Sequence, residues 1–600
     1  MSESGALWRT TPAMPSPTEL ADAWSRVVSG AIELARTSAT AAANPATPAP
    51  FDPAAPLRDF SAFASWMVTN PAELLKAQGQ AASEWMKLWG AAASRLTGAT
   101  PEPMIAPERG DRRFNDPAWS EEPVFDYLKQ AYLLATKQAG DLVRNAEGLD
   151  EATRTRVEFF TQQYLHALSP ANFAFTNPEA IRRAIETGSI SLLSGLANAL
   201  ADAATQPGIV QRRTGKQFEL GVDLAATPGS VVFENELMQL IQYTPTTEQV
   251  YRKPILYVPP LVNKYYLLDL QPKSSLIRWL VGEGHTVFVV SWVNAGPELA
   301  DRDMADYVLQ GPVAALDAIE KATGERSADL FGFCMGGTLQ AMAAAYLAGK
   351  GEGDRVASLT TIGTLFDFAQ LGQWATFAEP RQIEAMERHL EIKGFMAAQD
   401  LQALFSAVRA NDLIWSSVVS HYLLDKEAPP SDILHWFADG AHIPRAFLLD
   451  WARQVLRDNK LREPGGIVID GVPLDLGAVK APLMAISLKD DHVSAWQATY
   501  DGARLFGGDT RFLLGGSGHN AGVINPPSAN KHGFWTSDAL PDSAEAWMEG
   551  ATRQEGSWWP TWQAWLSADG SADKVPARVP GDGELPVLEA APGSYVKQRA

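Results

Sequence analysis

Apolar side chains recur at helical spacing through the first third of the chain, then give way to short strand-like runs. Leu20, Trp24, Val27, Val28 and Ile32 lie three or four positions apart and predict a helix over residues 16–36. Residues 37–56 are rich in Ala and Pro and read as a flexible linker. Helical spacing returns over 61–97 with Phe63, Trp66, Trp85 and Trp89, and a break is expected at Asn70-Pro71, because a residue before proline avoids the α region. After a Pro-rich stretch (101–107), helices are predicted over 125–143, 153–167 and 178–204, the last opened by Asn177-Pro178.

Near residue 216 the pattern changes. β-Branched and aromatic runs at 230–233, 254–258, 286–292, 328–333, 356–362, 483–488 and 511–514 read as strands, with helices expected at 274–283, 304–323 and 337–348. Such alternation predicts a parallel sheet covered on both faces. Residues 366–459 interrupt it with helical, Trp-rich sequence, the mark of a cap inserted after a core strand. The fold class is therefore α/β: an α/β-hydrolase-like catalytic domain (216–600) with a helical lid at about 366–459. It is preceded by a helical domain (118–215) and an N-terminal extension (1–117) to which no function is assigned.

Composition narrows the function. Six hundred residues exceed one core. A net charge of −20 argues against nucleic acid, and an anionic ligand would need a local basic patch. Nineteen Trp imply large apolar contact surfaces, internal or for an apolar partner. One cysteine excludes an intramolecular disulfide and a multi-thiolate metal site, and fits a reducing cytoplasm. Neither a signal peptide nor a transmembrane helix is expected, and no H-E-x-x-H spacing, dinucleotide fingerprint or P-loop is present.

That single cysteine, Cys334, lies in Gly332-Phe333-Cys334-Met335-Gly336-Gly337, between a predicted strand and a predicted helix. This is the nucleophile-elbow pattern with Cys in place of Ser: a tight turn lifts the side chain above the sheet, and the helix N-terminus behind it favours a negative group. The bland alternative is a buried cysteine beside a glycine-rich turn. In this fold the order is nucleophile, acid, histidine. His519 follows the last core strand on a Gly-rich loop, and Asp490-Asp491-His492 follows the strand before it. His519 is thus the candidate base and Asp491 its orienting acid; His492 is a rival base but occupies the acid's slot. His389, His421, His435 and His442 fall in the lid, where packing roles are expected. The oxyanion hole is expected from the backbone N–H of Met335 and, from the loop 259–264, that of Val262.

Together these segments resemble the polyhydroxyalkanoate synthases, specifically the single-subunit class I type, over roughly residues 118–596. The resemblance rests on Leu168-Ser169-Pro170-Ala171-Asn172-Phe173 with Thr176 to Ala180, and on Asn263-Lys264-Tyr265-Tyr266 through Asp269-Leu270. It extends to Gly332 through Thr338, Asp491 through Trp496, Ser517-Gly518-His519 with Gly522 through Pro527, and Ala591 through Val596. Asn520 and Ala495 depart from the family's usual residues.

The resemblance implies an acyltransferase that polymerises (R)-3-hydroxyacyl-CoA, short-chain 3-hydroxybutyryl-CoA above all, with Cys334, Asp491 and His519 as its triad. CoA is released as part of the substrate, so no cofactor is implied. The implied partners are the growing polyester and its granule surface in the cytoplasm, and a second copy in a homodimer. Either Asp491 alone or the Asp491–His519 pair could activate the hydroxyl in elongation. A Cys–His–Asp hydrolase of the same fold, or a non-catalytic granule-surface protein, are the competing readings.

Overall fold

The strand-forming runs assemble into one mixed sheet of eleven strands among the described residues. In chain order these are β1 (Gly229–Glu234), β2 (Met238–Tyr243), β3 (Ile255–Val258), β4 (Val287–Trp292), β5 (Ala328–Phe333), β6 (Val356–Ile362), β7 (Leu483–Leu488), β8 (Thr510–Gly515), β9 (Phe534–Thr536), β10 (Thr552–Gln554) and β11 (Glu589–Ala590). Their order across the sheet is β10-β9-β8-β7-β6-β5-β3-β4-β2-β1-β11. The six strands from β4 to β8 across the middle run parallel, whereas β2, β1, β9, β10 and β11 pair antiparallel. The computed structural model describes residues 12–43, 48–108, 110–205, 210, 218–568 and 573–600.

Each predicted strand forms, and the parallel ones are mostly apolar and buried along their length because both faces are covered, with polar residues such as Asp329, Thr360 and Ser487 buried among them. One face carries Leu256, Val258, Phe288, Leu330, Ala485 and Leu514; the other carries Ile255, Tyr257, Val289, Phe331, Ile486 and Leu513. The second face is filled by Trp558, Trp559 and Trp562, so much of the tryptophan content is internal. The antiparallel strand β2 lacks an obvious pattern because its Gln239 and Gln242 are buried and partnered far along the chain, by Glu589 and Ser594 and by the Arg578 carbonyl. The helix expected over 304–323 is interrupted at Leu309–Val313, where Pro312 has no N–H to donate and Gly311 leaves the helical region.

Two compact units emerge. One gathers the described residues of Met1–Pro48, Asp52–Gln217 and Ala403–Pro430; the other those of Ala49–Phe51, Phe218–Gln402 and Ser431–Ala600. The first contains α1 (Pro17–Ala43), α2 (Ala55–Thr69), α3 (Pro71–Leu96), α4 (Pro123–Arg144), α5 (Glu151–Ala167), α6 (Pro178–Glu186) and α7 (Ile190–Thr205). The linker expected over 37–56 is shorter than the sequence suggested, since the Ala-rich half, a good helix former, continues α1 to Ala43; residues 44–47 lie outside the described residues. The helix expected over 178–204 is two helices. Asn177 caps α6 by accepting from the N–H groups of Glu179 and Ala180, and Gly188 and Ser189 then turn with positive φ before α7 begins.

The segment expected as a single lid is divided. Within the sheet-containing unit, Phe366, Ile383, Met386, Leu390, Phe447 and Trp451 share the core of the first sheet face. Residues 403–430 instead group with α1–α7. Tyr422 donates its hydroxyl to Asp202 Oδ2 at 2.8 Å, and Asn198 Nδ2 donates to the His421 carbonyl at 3.3 Å. Gly195 of α7 permits this approach, since a Cβ there would overlap the Tyr422 carbonyl. Gly195→Ala is therefore expected to destabilise this unit by about 1–3 kcal/mol through overpacking, read as an earlier calorimetric transition. No helix among the described residues is long and apolar enough to cross a membrane.

Candidate active site

The site begins where β5 ends. Its last residue, Phe333, leads into Cys334, and the next helix, α8 (Met335–Gly349), starts at once. Cys334 has φ 53° and ψ −129°, a conformation L-residues avoid, and three contacts hold it there. Its N–H donates to the Ile362 carbonyl at 2.8 Å, and its own carbonyl accepts from the Gly337 N–H at 2.9 Å and the Thr364 hydroxyl at 3.2 Å. The glycines are required by close approach. A Cβ on Gly332 would come within 2.6 Å of Gly337, and one on Gly336 would overlap the Val258 carbonyl. Met335 is thus the first residue of α8, beside the end of β3.

Two loops bring the partners. The turn after β7 carries Asp491, whose side chain is 0% exposed. Its Oδ1 accepts from the N–H groups of Val493 (2.7 Å) and Ser494 (2.9 Å), and its Oδ2 accepts from His519 Nδ1 at 2.6 Å. The loop after β8 carries His519, buried with its ring 4.7 Å from that of Phe333. Burial lowers the pKa of the His519 imidazolium, but the Asp491 carboxylate and the nearby Cys334 sulfur outweigh it and push the value up to about 10. Cys334, Asp491 and His519 are thereby brought into one site. Asp491 bonds His519 and not His492, which is exposed and whose backbone carbonyl accepts from Trp374 Nε1 at 3.4 Å.

Val262 lies on the loop after β3, and its carbonyl accepts from the Ala441 N–H at 3.3 Å. The histidines expected to pack do so: His442 Nδ1 accepts from the Ala398 N–H at 3.0 Å and its ring stacks on Phe395, while His421 Nδ1 bonds the Lys426 carbonyl at 2.8 Å. No group of three His, Cys, Asp or Glu among the described residues could hold a metal ion.

Sequence reasoning passed over two residues. Tyr257 of β3 is buried near Cys334; burial and that sulfur push its phenol well above its ordinary value, and its hydroxyl has no hydrogen-bond partner among the described residues. Gly363 follows β6 with φ 54°, and a Cβ there would stand 3.2 Å from His519 Cε1 and 3.3 Å from both His519 Nδ1 and Asp491 Oδ2. The only sequence signal was a glycine at the carboxyl end of a core strand. Gly363→Ala is expected to displace the imidazole and lower kcat about 10²-fold, measured as CoA release.

Comparison with known proteins agrees with this architecture. Residues 110–280 match the family model described as the N-terminus of poly-beta-hydroxybutyrate polymerase (PhaC), and residues 264–526 match the alpha/beta hydrolase fold. A poly(3-hydroxyalkanoate) polymerase of Methylorubrum extorquens is 40% identical, with 90% of each chain covered. The poly(3-hydroxyalkanoate) polymerase subunit PhaC of Rhizobium meliloti is 37% identical, over 91% of this chain and 89% of that one. Its counterpart from Cupriavidus necator is 38% identical, over 88% and 89%. The chain therefore belongs to the poly(3-hydroxyalkanoate) polymerase family, acyltransferases that join hydroxyalkanoate units on an α/β-hydrolase fold.

Proposed function

We propose that the protein polymerises short-chain (R)-3-hydroxyacyl-CoA, 3-hydroxybutyryl-CoA first among them, through a covalent thioester on Cys334. The observation that carries this reading is the Asp491–His519 hydrogen bond of 2.6 Å, with the elbow cysteine's sulfur close enough to act on the same imidazole. The Cys334 sulfur attacks the substrate carbonyl carbon, and the Met335 and Val262 N–H groups receive the resulting oxyanion. As the carbonyl reforms, the bond to CoA sulfur breaks and the departing thiolate takes the proton from His519 Nε2. One thioester has replaced another at little free-energy cost, and the acyl group stays activated.

In elongation the 3-hydroxyl oxygen of another unit attacks the Cys334 thioester, its proton passes to His519, and the cysteine sulfur leaves. Both Asp491 oxygens are occupied and the side chain is sealed from solvent, which favours His519 as the group that takes this proton and Asp491 as its orienting partner. CoA is the leaving group, and the chemistry calls for no resident cofactor. The relatives' polyester product extends the reading to a homodimer working at a granule surface in the cytoplasm, and the exposed stripe of Trp24, Val28 and Ile32 on α1 supports adhesion to an apolar surface.

Purified protein supplied with (R)-3-hydroxybutyryl-CoA is expected to release CoA in step with recoverable polymer, faster than with longer acyl chains. Free 3-hydroxy acid with no polymer would instead identify a hydrolase.

A further inference from the structure

Lys264 follows the loop that carries Val262 and is 8% exposed, an unusual place for an ammonium group. Its Nζ donates to Asp439 Oδ1 at 2.6 Å and to the Gln598 carbonyl at 2.8 Å, while Tyr266 donates its hydroxyl to Asp439 Oδ2 at 2.8 Å. Burial lowers the Lys264 pKa and Asp439 works against it; Arg599 also faces the group.

The backbone around Lys264 is fastened to the same place. Trp436 Nε1 donates to the Lys264 carbonyl at 2.7 Å, Asn263 Nδ2 donates to the Trp436 carbonyl at 3.2 Å, and Asn263 bridges to Gly440 beside the Ala441–Val262 bond. The chain's last residues close the assembly: Gln598 Oε1 accepts from the Asn294 N–H at 3.1 Å, and Asn294 Oδ1 accepts from the His442 N–H at 2.8 Å. Two segments far apart in sequence, 436–441 and 598, thus converge on Val262, Asn263 and Lys264, and Asn294 ties those two segments to each other. A salt bridge that only added stability would have no reason to gather them there.

We propose that Lys264, gripped by Asp439 and the Gln598 carbonyl, is a positioning residue that fixes the loop 259–263 so that the Val262 N–H completes the oxyanion hole. This rests on the thioester mechanism proposed above. It assigns Lys264 no contact with substrate; its effect passes through the backbone.

The test compares the full-length protein with Lys264→Met and with the double variant Lys264→Met/Asp439→Leu, which leaves no orphaned buried charge. Each is measured for kcat and KM with (R)-3-hydroxybutyryl-CoA and for the rate of Cys334 alkylation by iodoacetamide. Both variants are expected to lose about 10²-fold in kcat, with KM within about twofold and alkylation unchanged, because the nucleophile and His519 are untouched. A double variant with the parent kcat would overturn the proposal, as would an alkylation rate that falls together with kcat. Failure of the underlying mechanism looks different: parent protein, carrying no substitution, that keeps its activity after complete alkylation of Cys334.

Discussion

Cys334→Ala is expected to abolish CoA release, a loss of about 10⁴-fold or more, with the fold intact. The alanine keeps the elbow's backbone and removes only the sulfur, so the oxyanion donors and His519 remain while no covalent carrier exists. Cys334→Ser is the sharper comparison. A serine oxygen can be acylated, but the product is an oxoester, and transferring that acyl group to a 3-hydroxyl exchanges one ester for another with no thioester free energy to draw on. Serine should therefore support at most a slow burst of CoA release with no polymer, resolved by quenching early and weighing product. A third substitution separates chemistry from stability. Cys334 has φ 53° and ψ −129°, a conformation that costs a side-chain-bearing residue about 1–3 kcal/mol. Cys334→Gly relieves that strain but loosens the unfolded chain, so the inactive variant should gain about 1 kcal/mol in denaturant unfolding. A nucleophile that destabilises its own fold is the mark of a residue kept for function.

How far the sequence led depends on whether the forces involved are local. The central strands were legible because a strand covered on both faces is buried along its whole length and is therefore mostly apolar, as β5 and β7 are apart from Asp329 and Ser487. The elbow was legible because its glycine-flanked pattern sits within six residues between a strand and a helix, although the contact that requires Gly336, the Val258 carbonyl, comes from another strand. The strand β2 was not, since its buried Gln239 is satisfied by residues some 350 positions away. The division of the lid was equally hidden: nothing in Gly195 itself reveals that Tyr422 lies against it. Among site residues, Asp491 and His519 could be placed by chain order. Gly363 and Lys264 could not be given roles, because their importance lies in what folding brings beside them: the His519 ring in one case, the Asp439 carboxylate in the other.

Asp491→Asn should lower kcat by about 10³–10⁴-fold although the replacement is nearly isosteric. The reason lies in which atoms already have partners. Oδ1 accepts from two backbone N–H groups, those of Val493 and Ser494, and only an oxygen can do so. The amide that replaces the carboxylate must keep its oxygen there, which turns its NH₂ toward His519 Nδ1, where the carboxylate oxygen had accepted a proton at 2.6 Å. Nδ1 then has to accept, the ring proton moves to Nε2, and the nitrogen facing Cys334 can no longer take a proton from sulfur or hydroxyl. The charged imidazolium also loses the carboxylate that favours it. In the parent protein the folded His519 value of about 10 lies above the unfolded value of 6.5, so the stabilisation it contributes is fully present below 6.5 and is lost as pH rises through about 10. Melting temperatures of parent and Asp491→Asn should accordingly differ most at pH 6 and converge toward pH 10. A constant gap across that range would mean that the two residues are held together by packing, with no charge on the imidazole, and the protonated His519 that the leaving CoA requires would have no support.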